Sequence, residues 1–276
     1  MAYNWIQAED YSINSILLMD RWILRGIIGM AEYGAGHYAD PDYRRHLGIA
    51  LAYNPAIRWY YVNKCPEAKD RVASLIEAAP VGLTAEEVRN SETCFLQEIE
   101  TFVVYLYPEV MESHCTYIRD WTPDKLLSIV DFTDKVVLDV GSGTGRLAFA
   151  AAQKARKVYA SDPVDCLREF MKDKIKKLGI KNMVVLDGVV EALPFEDNTF
   201  DIVTSACVFG DNYDVEYAEM ARVVKSGGYI IDCDGENESV ESTPRKSELL
   251  QLGFQYSHYT SKNGGDVYRY WKQVIK

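Results

Sequence analysis

The sequence predicts an α/β fold in its C-terminal half, built on a seven-stranded, mostly parallel sheet, with an all-helical domain in front of it. Three observations carry that expectation. The run Val136–Val140 is β-branched and apolar and passes straight into Gly141-Ser142-Gly143-Thr144-Gly145, the pattern of a buried strand ending in a nucleotide-binding turn. Further apolar runs at Lys157–Ser161, Met183–Leu186, 200–208 and 229–231 alternate with helical segments, which implies parallel strands joined by crossovers. Ahead of residue 122, by contrast, apolar residues recur at helical spacing.

In the N-terminal part, Ile13, Ile16, Leu17, Leu24, Ile27 and Ile28 fall at helical intervals across 13–30, and Asp20, Arg21 and Arg25 interrupt the run. It reads as a buried helix and not a membrane span. Pro66 opens a helix over 67–79, Thr84-x-x-Glu87 is a capping-box signature before a helix running towards Tyr107, and Thr122-Pro123 starts a helix beside the first strand. The segments 33–43 and Tyr53-Asn54-Pro55 lack a regular pattern. The expected division is 1–121 for a helical substrate-binding or lid domain and 122–276 for the ligand-binding domain.

The glycine turn is the most specific local signal. Glycines there admit backbone conformations closed to other residues and let a ligand approach, and the apolar stretch 147–152 behind them starts a helix. A dinucleotide fingerprint runs G-x-G-x-x-G, whereas this chain has Gly141-x-Gly143-x-Gly145 with Asp139 two residues ahead. The expected ligand therefore shifts from NAD to S-adenosyl-L-methionine. The second strand ends in Asp162, placed where a ribose diol needs an acceptor. The third leads into Asp187-Gly188-Val189-Val190, then Leu193-Pro194-Phe195 and Asp197-Asn198-Thr199-Phe200-Asp201.

With those motifs in view, residues 122–276 resemble the class I S-adenosylmethionine-dependent methyltransferases, in particular the group of small-molecule enzymes similar to the ubiquinone/menaquinone methyltransferases. The resemblance implies a Rossmann-like sheet whose last strand is antiparallel. It implies that Asp139 and the backbone of Gly141 and Gly143 hold the methionine end of the cofactor and that Asp162 takes the ribose hydroxyls. Ser142, Thr144, Gly145, Pro163, Gly188, Val189, Val190 and Ala206 complete the implied cofactor set. One position departs from the pattern: Val189 stands where the family has an Asp for the adenine amino group, and Asp187 lies one residue before Gly188. Neighbours on an extended segment point to opposite sides. Either the segment is bulged, or adenine is held by backbone groups and apolar packing.

The remaining C-terminal elements are a helix over 217–225, a turn at Ser226-Gly227-Gly228, Thr243-Pro244 as the start of a helix over 245–252 closed by Gly253, and strands 254–260 and 266–274 around a hairpin turn. The acceptor site is expected beyond the fourth strand, at 209–213, with Asp211 and Tyr213 orienting a small acceptor or capping the next helix. His37 is the candidate base, because the loop 33–43 carries glycines and three tyrosines and has the composition of a lid. Eleven of the 19 tyrosines precede Thr122, useful in helix packing or in an aromatic pocket.

Composition narrows the field. With 30 basic against 41 acidic residues, the net charge of −11 works against nucleic-acid binding. The one basic concentration, 172–181, reads as a solvated helix face. Six cysteines without a C-x-x-C pair, and no signal peptide at the start, point to a reducing cytoplasm. His37, His46, His114 and His258 do not cluster with cysteines at ligand spacing, so no metal is expected. The expectation is a cytoplasmic methyltransferase acting on a small molecule. Methylation of a protein side chain and a non-catalytic cofactor-binding module are the alternatives. The acceptor and the oligomeric state stay open.

Overall fold

The computed structural model describes residues 12–33, 42–210, 212–235 and 245–276. The chain divides into two compact units, Met1–Tyr107 and Pro108–Lys276.

In the first unit, Ser12 caps a 3-10 turn at Ile13–Leu18, and helix α1 follows at Arg21–Tyr33. The single helix expected over 13–30 is therefore broken at Met19–Asp20. Burying an unpaired carboxylate is costly, and the chain solves this by making Asp20 a cap whose Oδ1 accepts from Ile23 N at 3.1 Å. Helices α2 (Tyr43–Tyr53) and α3 (Pro55–Lys64) meet at Asn54, whose side chain donates to Ala50 O and Glu92 Oε1. Proline at the first position of α3 fixes where it begins. Next come α4 (Lys69–Glu77) and α5 (Ala85–Glu98), the latter opened by the expected Thr84/Glu87 capping box, and α6 (Glu100–Val103). Several tyrosines of this unit serve packing: Tyr43 donates to Ile27 O, Tyr53 to Pro80 O, Tyr60 to Met19 O and Tyr61 to Leu24 O.

The second unit begins with three short helices, α7 (Pro108–His114), α8 (Thr116–Arg119) and α9 (Asp124–Leu127). Then β1 (Val136–Val140), α10 (Arg146–Ala151), β2 (Lys157–Ser161), α11 (Asp165–Leu178), β3 (Met183–Leu186), β4 (Phe200–Ser205), α12 (Tyr213–Val223), β5 (Val224–Cys233), α13 (Ser247–Gln251), β6 (Gln255–Thr260) and β7 (Asp266–Gln273) complete it. The division falls before α7, between Tyr107 and Pro108, where the sequence reading expected 121/122. Glu112 of α7 pairs with Lys174 of α11, and Trp121 is buried with Leu126 and Val137 in the sheet's core.

The sheet order is β3-β2-β1-β4-β5-β7-β6; β1 to β5 pair in parallel, and β7 runs antiparallel between β5 and β6. The reversed last strand is thus present. The order turns around between β1 and β4, so a crevice for ligands opens there at the carboxyl ends of the strands. Alternation puts Val137, Ile202 and Ile231 on the face covered by α9 and α10, and Leu138, Val203 and Ile230 on the face covered by α12 and α13. Strand β4 is shorter than the expected 200–208 because Cys207 has φ 57° and turns the chain out of the ladder. Strand β5 is longer than 229–231. The Ser226-Gly227-Gly228 turn is absorbed as an irregularity opposite Phe200 and Ile202. Among the described residues no helix is long and apolar enough to cross a membrane.

Candidate functional site

Strand β1 delivers Asp139 to the crevice, and the turn that follows holds Gly141, Gly143 and Gly145 at φ 62°, 59° and 93°. Gly143 is the informative one. A Cβ built on it meets no protein atom within 4 Å, so the positive φ and the open space occur together at the bend. Ser142 stiffens the turn: its hydroxyl donates to Asp139 O at 2.9 Å and its amide to Ser161 O at 3.0 Å. Thr144 is buried, with its hydroxyl oxygen lacking any partner.

Asp162 lies one residue past β2 and is 4 % exposed. Its Oδ2 accepts from Gly143 N and its Oδ1 from Val164 N, both at 2.8 Å. The carboxylate therefore ties the glycine turn to the β2 end. A carboxylate offers about four acceptor positions, so a ribose diol can share it with these amides. Arg168 of α11 fixes the same bend by donating to Asp162 O at 2.8 Å, next to the half-buried Pro163.

Asp139 is 1 % exposed. Its Oδ1 accepts from Thr204 Oγ1 at 2.7 Å across the β1–β4 pairing, while Oδ2 is buried without a partner. Burial pushes its carboxyl up to about 6, against the opposing pull of Thr204, Ser142 and Arg146. A buried carboxylate oxygen with nothing to accept from, beside an open glycine bend, fits the ammonium of an amino-acid ligand.

After β3, Asp187 points outward, 74 % exposed, to Arg168 Nη1 at 3.2 Å. Its side chain thus turns to Arg168 and away from the Gly188–Val189 segment's inner side, in keeping with the alternation of side chains. Gly188 is needed for closeness, since a Cβ there would lie 2.5 Å from Ser161 Oγ. Val189 bridges to Ala192, and Val189 and Val190 are half-buried, leaving backbone groups and apolar surface for an adenine ring. Ala206, half-buried, follows β4.

On the acceptor side, His37 and Asp211, and the 34–41 part of the loop containing His37, lie outside the described residues. Tyr213 opens α12 and stacks on Phe209 with ring centroids 5.8 Å apart. Asn212 caps the helix, accepting from Val215 N at 3.3 Å, so Tyr213 has no capping duty. Buried Glu216 pins the preceding loop by accepting from Gly210 N and Asn212 N.

Sequence reasoning missed one cluster entirely. Lys246 Nζ reaches Asp232 Oδ2 at 2.5 Å and Asp234 Oδ1 at 3.0 Å at the carboxyl end of β5, and Ser205 Oγ donates to Asp232 Oδ1. Burial pushes Asp232 up to about 6 despite Lys246, and burial alone would discharge Lys246, but the two carboxylates hold its ammonium above the usual range. Burial also raises the Tyr213 phenol above its ordinary range, with Lys246 and Asp232 as smaller, opposing influences. The alternate acids of a DCD segment were the available signal; the cation follows them by 12 to 14 residues, at the start of α13.

The family model described as a methyltransferase domain matches residues 138–232, from β1 through β5. Over those residues the second unit is similar to the S-adenosylmethionine-dependent methyltransferases. The demethylmenaquinone methyltransferase of Thermobifida fusca is 25% identical over 160 residues, covering 57% of this chain and 68% of that protein. The ubiquinone/menaquinone biosynthesis C-methyltransferase UbiE of Idiomarina loihiensis is 36% identical over 156 residues, 51% of this chain and 59% of that protein. The chain spans between 41% and 68% of the length of the curated relatives compared. A SAM dependent methyltransferase structure from Aquifex aeolicus matches 62% of this chain and 98% of its own, at 22% identity and TM-score 0.49. The family's cofactor, S-adenosylmethionine, fits the residues present: the open bend at Gly143, the unpartnered Asp139 Oδ2 and the Asp162 carboxylate stand together at the carboxyl ends of β1 and β2.

Proposed function

We propose that the chain transfers a methyl group from S-adenosylmethionine to a small-molecule acceptor. The observation that carries this reading is the glycine bend at Gly143, open to a ligand and flanked by a buried carboxylate oxygen without a partner on Asp139. When bound, the cofactor supplies an electrophilic methyl group on a sulfonium. The chain's part is to hold both reactants in line and to exclude water. Asp139, the turn from Gly141 to Gly145, Asp162 with Pro163, the segment Gly188-Val189-Val190 and Ala206 are assigned to the cofactor. Tyr213 is assigned to the acceptor, with Asp211 and His37 as its companions.

Small-molecule acceptors are favoured because the relatives are quinone-pathway enzymes by name and because the net charge of −11 disfavours nucleic acids. The helical first unit lies wholly outside the family-matched residues, so acceptor selection is assigned to it. All six cysteines are free thiols, which supports a reducing compartment such as the cytoplasm.

The test is transfer of labelled methyl groups from S-adenosylmethionine to a cell extract split into metabolites and proteins. Label in the metabolite fraction is expected. Label confined to proteins favours side-chain methylation, and tight cofactor binding with no label in either fraction favours a non-catalytic module.

A further inference from the structure

Helices α2 and α4 of the first unit run side by side in the same direction, since Gly48 abuts Leu75 and, further along both, Tyr53 donates to Pro80 O. The approach at Gly48 is closer than a side chain permits: a Cβ there would lie 2.7 Å from Leu75 O. One turn earlier on each helix stand Arg44 and Arg71, and between them the helices do not close. The space is a cavity of about 290 Å³, in which Asp70 and Ser74 join the two arginines over a floor of Ile28, Ala31 and Leu75. The floor residues are apolar and buried. Such a volume lies at the small end of ligand pockets. Arg44 does not swing freely, because its Nη1 donates to Ala31 O in the last turn of α1 at 2.6 Å. Among the described residues no carboxylate pairs with it.

We infer that this cavity binds a small organic monoanion, its carboxylate on Arg44 with Arg71 across from it and its apolar body on Ile28, Ala31 and Leu75. A guanidinium fork matches a carboxylate in shape as well as charge, and its remaining N–H groups are available to one. Two guanidiniums facing one cavity repel each other, and an anion between them relieves that repulsion. Their charge also opposes that of the chain, which is −11 overall, so the cavity is a local attractor for an anion on a molecule that otherwise repels one. Asp70 brings the formal charge of the lining to one positive, which suits a singly charged ligand over a dianion. The site lies within Met1–Tyr107 and does not depend on the S-adenosylmethionine reading.

The experiment is a ligand-observed magnetic-resonance titration of the full chain with three probes: benzoate, benzyl alcohol as its uncharged counterpart, and inorganic phosphate as an anion without an apolar body. Benzoate is expected to bind with a Kd on the order of 1 mM, about fivefold or more tighter than either of the others. Arg44→Met should weaken benzoate by about fivefold or more and leave benzyl alcohol unchanged, and Arg44→Lys should restore part of the loss. Ser74→Trp, whose indole would fill the cavity from an exposed helix position, should abolish benzoate binding while the circular dichroism spectrum stays native. Equal affinity for benzoate and benzyl alcohol overturns the proposal, and phosphate binding as tight as benzoate does the same. So does benzoate affinity that is unchanged in Arg44→Met or in Ser74→Trp, or no benzoate binding at all. Saturating S-adenosylhomocysteine should leave the benzoate titration unaltered; displacement of benzoate would put it in the cofactor crevice and sink the site, while the cofactor reading stands.

Discussion

At the scale of single residues, two carboxylates near the crevice answer to different physics. Asp162 is bound by two amides, so its role is to fix the bend and then share its remaining acceptor capacity with a ribose. Asp162→Ala should weaken S-adenosylhomocysteine binding by about 1.5–3 kcal/mol, because charge-assisted bonds are lost. Calorimetry checks this, and unchanged affinity would remove the ribose assignment. Asp139 is buried and raised to about 6, above the ordinary carboxylate value. A raised carboxyl contributes stability that is complete below its unfolded pKa and is lost as pH rises through about 6. The ligand-free protein is therefore strained at neutral pH. Asp139→Asn should raise its melting temperature at pH 7.5, by up to about 2–3 kcal/mol of stability at most, and give little change at pH 4.5. The same substitution should weaken S-adenosylhomocysteine, a gain in stability opposed by a loss of binding. A lower melting temperature at pH 7.5 would contradict this account of Asp139.

The acids Asp139 and Asp162 were legible in the sequence because the first lies near the end of one strand pattern, two residues ahead of the glycines, and the second directly follows the next strand pattern. Their partners were not. Which amide Asp162 accepts from depends on how the turn folds back, and Thr204 meets Asp139 only through strand pairing across 65 residues. The outward orientation of Asp187 agrees with the alternation of side chains, and Val189, half-buried, bridges to Ala192.

At the scale of elements, the strands announced themselves by composition, while their ends did not. Strand β4 stops early at Cys207, and α12 begins at Tyr213 instead of 217, because Asn212 and Glu216 supply caps that apolar periodicity cannot see. Periodicity also ran straight across Asp20, where a buried acid forced a break. The end of β5 is the clearest case of a feature hidden from sequence, since Lys246 meets Asp232 and Asp234 only once α13 is docked. Removing one partner of a buried pair leaves a charge uncompensated, so Lys246→Met should destabilise the domain by about 3–5 kcal/mol. Denaturant unfolding would show it. An effect below about 1 kcal/mol would mean that the network is solvated and contributes little.

At the scale of the molecule, every described residue assigned to the cofactor lies within Pro108–Lys276. A fragment of 108–276 should bind S-adenosylhomocysteine within about threefold of the full chain and fail to methylate the acceptor. A fragment starting at 122 should be markedly less stable, because it lacks α7 with its Glu112–Lys174 pair and exposes the face that buries Trp121. Full activity in the 108–276 fragment would remove acceptor selection from the helical unit.

The central claim is that the bend at Gly143 receives the cofactor, and one titration reaches it directly. Calorimetry of S-adenosylhomocysteine into the full chain should give a single site with a Kd on the order of micromolar. In Gly143→Val, whose side chain would enter space that no protein atom occupies within 4 Å, binding should disappear while the circular dichroism spectrum stays nearly native. Normal binding by Gly143→Val would show that the ligand does not approach the backbone there, and the account of the site would fail.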